Sequence, residues 1–135
     1  MSKLIIREEG FAFSAAHQIV DPDLMPIDRD AAIHGHTWTV AVELLGDPDR
    51  KFDHALIEDA VISVVSQLDG VCINAIEELA YGTNEDILLK FLVPKIFAAI
   101  DQHPGVHARL LMIELGQFGA GRNGRLTTHI TRWTA

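Results

Sequence analysis

The spacing of apolar residues changes twice along this chain, and that change limits the folds open to it. Both ends alternate with the period of two that suits a strand, and the middle repeats with the period of a helix. In "KLIIREEGFAFSAAH" (3–17), Phe11, Phe13 and Ala15 share one parity and Ala12, Ser14 and Ala16 the other. That pattern predicts a strand with one large-residue face. "HTWTVAVELLG" (36–46) predicts a second strand, so the two form a long hairpin. The connection between them, residues 18–33, carries two prolines and four aspartates. It reads as a loop, and its length suggests a functional role.

Past the turn cluster "GDPDRK" (46–51), Ile57, Val61, Val64, Val65 and Leu68 recur at helical spacing. They predict an amphipathic helix ending near Gly70. "TNEDILLKFLVPKIFAAI" (83–100) predicts a second helix, with Thr83 as N-cap, acidic residues in its first turn, and a kink at Pro94. "HARLLMIELGQF" and "GRLTTHITRW" are two further strands around the glycine-rich "GQFGAGRNG". The order β-β-α-α-β-β implies an α+β fold, an antiparallel sheet with the helices on one face. At 135 residues the chain is expected to form one domain spanning 1–135.

Hydrophobic residues make up 48% of the chain, which excludes a disordered polypeptide. The net charge of −8 argues against nucleic-acid or anionic-membrane partners, which need a positive field, although Arg122 and Arg125 offer a local anion site. No apolar run reaches membrane-spanning length, and the N-terminal stretch has no secretory h-region. The one cysteine, Cys72, cannot form an internal disulfide; a cytoplasmic protein is expected.

The histidines carry the chemistry. His34 and His36 share a face if the second strand begins at or before His34, and the hairpin brings His17, at the end of the first strand, beside them. Three neutral imidazoles with one open position are the pattern of a catalytic zinc site. The competing reading of the same spacing is a solvated HxH in a loop. His54, His103, His107 and His129 read as structural or solvated, and Cys72 as buried and inert.

"FSAAH" (13–17) and "HGHTWTV" (34–40) together resemble the 6-pyruvoyl-tetrahydropterin synthase and 6-carboxytetrahydropterin synthase family. The resemblance runs along nearly the whole chain. Asp53 opens the first helix, and "LDGVCIN" (68–74) stands where the family has Leu-Asp-His-x-x-Leu-Asn. "GTNE" (82–85) matches its Pro-Thr-x-Glu, and Glu114 its late glutamate. The resemblance implies a tunnelling fold (T-fold): a four-stranded antiparallel sheet with two helices on one face, assembled into a homo-oligomer, commonly a hexamer, with sites at subunit interfaces. It implies Zn2+ held by His17, His34 and His36. It gives Glu114 the role of pterin anchor, by paired hydrogen bonds from the ring, and puts Thr83 and Glu85 in the site wall.

The chain departs from the family at the catalytic triad. The family's cysteine falls at Asp30, its aspartate is kept as Asp69, and its histidine is replaced by Gly70. Branches of the family with a carboxylate in place of the cysteine are associated with aldolase-type cleavage of the dihydroneopterin side chain. A carboxylate of ordinary pKa is a weak base unless burial raises it, so Asp30 reads either as the catalytic base, with Asp69 as its partner, or as a polar loop residue. The expected function is a zinc-dependent lyase acting on the side chain of a dihydroneopterin-type pterin. The alternative is a pterin- or purine-binding zinc protein without catalysis. A purely structural paralogue is disfavoured by the retained His17, His34, His36 and Glu114.

Overall fold

The computed structural model describes residues 3–18, 33–51, 53–80, 84–117 and 127–134, with backbone only at 34, 116, 117 and 127–133. Four strands, β1 (Leu4–His17), β2 (His34–Gly46), β3 (Val106–Gln117) and β4 (Thr127–Thr134), form one antiparallel sheet in the order β1-β2-β3-β4. Two helices, α1 (His54–Val65) and α2 (Glu85–Asp101), connect β2 to β3. This is the β-β-α-α-β-β order and the four-stranded sheet expected from the sequence. Among the described residues, no helix is long and apolar enough to cross a membrane.

The alternating pattern of β1 does what its parity predicts. Phe11, Phe13, Ala15 and His17 are buried, and Ala12 and Ser14 are exposed. Their ladder partners Val40 and Trp38 on β2, and in turn Ile113 and Leu115 on β3, continue the same buried face. Both helices close over it. Ile57, Val61, Val64 and Val65 of α1 and Leu88, Leu92, Ile96 and Ile100 of α2 join the strand residues in one core cluster. Burial of these side chains stabilises by about 1.5–3 kcal/mol each, so the helices are held by packing more than by propensity. A bulge between Glu8 and Phe11, with Gly10 at φ 90°, adds one residue to β1, so the inward-facing positions switch from even (Ile6, Glu8) to odd (Phe11, Phe13) across it.

Two local expectations, the end of α1 and the N-cap of α2, are corrected. α1 stops at Val65, before Gly70, and a tight turn follows; Leu68 is still fully buried, so the apolar repeat outlasts the helix. The N-cap of α2 is Asn84, whose side-chain oxygen accepts from Ile87 N–H at 3.1 Å; Thr83 lies outside the described residues. Asn provides the same capping oxygen as Thr, one position nearer the first turn. α2 runs on through Pro94 as one element. The carbonyl that Pro94 leaves without its helical donor belongs to Lys90, and both residues lie on the exposed side of the helix, where water can serve it.

Candidate functional site

β2 starts at His34, two residues earlier than the strand pattern predicts, so the whole of "HGH" lies in the ladder. The register sets His17 opposite His34 and Ala15 opposite His36. Ladder partners and i, i+2 neighbours share a face, so positions 17, 34 and 36 fall together at the end of the hairpin. The rings of His17 and His36 are 5.0 Å apart between centroids, at 78°. His17 is buried, with 4% of its surface exposed, and His36 is half-buried.

Two imidazoles bound through nitrogen to one tetrahedral zinc, at about 2.0–2.1 Å each, bring their centroids to about 5 Å. The His17–His36 spacing fits. Among the described residues no three His, Cys, Asp or Glu side chains gather into a metal-holding group. The third member of the expected set, His34, is placed by its backbone alone.

Trp38 forms the floor beside this pair. It is fully buried and stacks on Phe13 at 5.2 Å and 14°. His17 and His36 both meet it edge-on, at 5.2 Å and 5.4 Å. Its indole N–H donates to Glu85 Oε1 at 3.4 Å. Glu85 is the first residue of α2, so the start of that helix is tied to Trp38. Trp38 is missing from the expected site residues. Its signal was the parity of "HTW", which puts Trp38 on the same face as His36 and His34.

The "LDGVCIN" segment docks along the outer edge of β1. Asp69 Oδ1 accepts the Ser14 N–H at 2.8 Å, Gly70 N–H donates to Ser14 O at 2.7 Å, and Ala16 N–H donates to Val71 O at 2.9 Å. Cys72 forms a parallel bridge with Ala16. Asn74 completes the attachment: its side chain accepts from Gln18 N–H at 2.9 Å and donates to Gln18 O at 3.0 Å and Ala80 O at 3.1 Å. Gln18 directly follows His17, so Asn74 pins the backbone at the exit of a candidate ligand. Gly70 stands at φ 71°, in the left-handed region.

The expected residues divide. His17, His36 and Glu85 come together around Trp38. Asp69 sits at Ser14, whose side chain is on the opposite face from His17 and bonds Thr37 Oγ1 at 2.9 Å. Glu114 pairs with Thr39, one residue out of step with Trp38, and therefore lies on the face of the sheet away from the helices. Asp30, like Thr83, falls outside the described residues. His54 heads α1 with Nδ1 against Glu8 Oε1, and His107 Nδ1 is 3.6 Å from Asp101 Oδ1; neither is in the cluster. His129 lies on β4 opposite Leu115.

The family profile of 6-pyruvoyl tetrahydropterin synthase matches residues 5–114. Among solved structures, the chain is similar to Caenorhabditis elegans 6-pyruvoyl tetrahydropterin synthase, with a TM-score of 0.71 and 15% identity, over 100% of this chain and 97% of that one. It is similar to the Plasmodium falciparum 6-pyruvoyl tetrahydropterin synthase at TM-score 0.63 and 13% identity, over 100% of both chains. A Plasmodium vivax 6-pyruvoyltetrahydropterin synthase, described as a catalytic-residue mutant with alanine in place of a glutamate, gives TM-score 0.59 and 15% identity, again over 100% of both. No curated protein matches the sequence. At these identities the structural likeness shows the fold.

Proposed function

From the premise that this chain belongs to the 6-pyruvoyl tetrahydropterin synthase family, which supports a pterin-processing, lyase-type function, we propose a zinc-dependent lyase that acts on the side chain of a dihydroneopterin-type pterin. The observation that carries the zinc assignment is the His17–His36 pair, 5.0 Å apart, at the end of a hairpin whose register sets His17 opposite His34. His17, His34 and His36 hold the metal. Zinc there supplies Lewis acidity toward a hydroxyl or carbonyl oxygen of the pterin side chain.

The chain's own residues do the rest. Asp30 takes the proton from the reacting carbon or hydroxyl, as a carboxylate held beside the substrate can. The Plasmodium vivax protein, where a glutamate is named as a catalytic residue, favours a carboxylate in that role. Glu114 anchors the pterin by accepting paired hydrogen bonds from a ring N–H and the exocyclic amine. Its place on the sheet face opposite the histidines fits a homo-oligomer, up to a hexamer, in which one subunit's Glu114 serves the histidines of another. Thr83 lines the site.

One observation favours the second reading, a pterin- or purine-binding zinc protein without turnover. Asp69, the retained member of the triad, already accepts the Ser14 N–H, and its neighbour is Gly70 where the family has an imidazole. Turnover assays on zinc-loaded protein, with dihydroneopterin triphosphate and with dihydroneopterin, separate the two. Product from either substrate supports the lyase; tight pterin binding with neither product supports the binding protein.

A further inference from the structure

We propose that Glu85 and Trp38 form a positioning pair that fixes the orientation of the His17 and His36 rings, and so sets the geometry in which they hold metal. This inference rests on the zinc reading above and assigns Glu85 a task other than contact with the pterin.

The indole is set on several sides at once. Phe13 stacks on it, and His17 and His36 stand nearly perpendicular to it, at 89° and 75°. Perpendicular rings 4.5–7 Å apart are a favoured aromatic arrangement, so turning the indole disturbs both imidazoles together. Trp38 is fully buried, and its one polar group is a donor that needs an acceptor there. Glu85 Oε1 is that acceptor, at 3.4 Å.

Glu85 is itself held on a rigid element. Asn84 caps the first turn of α2, and Leu88, Leu89 and Leu92 anchor the helix in the core. The chain of contacts therefore runs from the start of α2, through one carboxylate and one indole, to two candidate ligands. Groups that orient metal-binding imidazoles change metal affinity by about 10–100-fold when removed.

The test uses cobalt as a spectroscopic stand-in for zinc on the purified full chain. Cobalt affinity and the visible ligand-field spectrum are measured for the wild type, Glu85→Ala, Glu85→Gln and Trp38→Phe, together with zinc affinity by competition with a chelator. Glu85→Ala removes the acceptor from the start of a helix without touching the core, and it decides the matter even if Trp38→Phe does not fold. The expected result is a loss of about tenfold or more in affinity with an altered spectrum for Glu85→Ala and Trp38→Phe. Glu85→Gln keeps an acceptor oxygen and stays close to wild type. Wild-type affinity and spectrum in Glu85→Ala overturn the inference while leaving the zinc reading intact. So does a pattern in which Glu85→Ala and Glu85→Gln both lose pterin binding with the metal site unchanged, since that makes Glu85 a substrate contact. A wild-type protein that takes up no cobalt and no zinc overturns the zinc reading and this inference with it.

Discussion

Replacing Gly70 isolates one backbone strain from every packing effect. Gly70 has φ 71°, and a Cβ built on it meets nothing within 4 Å. An alanine there brings no clash, only the left-handed backbone, which costs an L-residue roughly 1–2 kcal/mol. Against this, alanine reduces the freedom of the unfolded chain and recovers about 0.4–1 kcal/mol. Escape by relaxing φ is closed off, because Gly70 N–H donates to Ser14 O at 2.7 Å and Val71 O accepts from Ala16 N–H at 2.9 Å. Gly70→Ala should therefore destabilise by about 1 kcal/mol, a fall in Tm of roughly 3–5 °C for a chain of this size. Gly70→Asn, a residue that tolerates the left-handed region, should lose less. Calorimetry at fixed protein concentration, backed by urea titration, reads both. An unchanged or raised Tm in Gly70→Ala, or a larger loss in Gly70→Asn, would refute the reasoning. Gly70→His, which restores the imidazole of the family triad, bears the same backbone strain, so its effect on activity must be read beside its stability.

Asn74→Ala removes three hydrogen bonds, two at Gln18 and one at Ala80, so urea titration should show a loss of about 1–3 kcal/mol. His36→Ala should strip zinc from a protein that remains folded; metal analysis with circular dichroism checks both, and retained stoichiometric zinc would remove His36 from the ligand set. Asp30→Asn should abolish turnover and leave pterin binding nearly intact, and equal activity in the two proteins would return Asp30 to the role of a polar loop residue. Light scattering at micromolar concentration should find an assembly larger than a dimer, since open sheet edges seek partners; a monomer would contradict the shared-site reading.

The amino-acid sequence alone determined the element order, the core-facing parity of β1, and the candidate metal ligands. Each depends on residues near one another in the chain: a period of two buries Phe11, Phe13 and Ala15 together, and a hairpin sets the end of one strand beside the start of the next. The tertiary structure decided what long-range hydrogen bonds and register decide. "LDGVCIN" was legible as a family motif, but its docking on the edge of β1 joins residues 55 or more positions apart, Ser14 to Asp69 and Gln18 to Asn74. The meeting of Glu85 with Trp38 needs α2 folded back across the sheet. The resemblance gives Glu114 the role of pterin anchor but does not say which face of the sheet it occupies. Its face is set by the β2–β3 register, and there a pairing with Thr39 instead of Trp38 places it on the far side, because successive residues of a strand point to opposite faces.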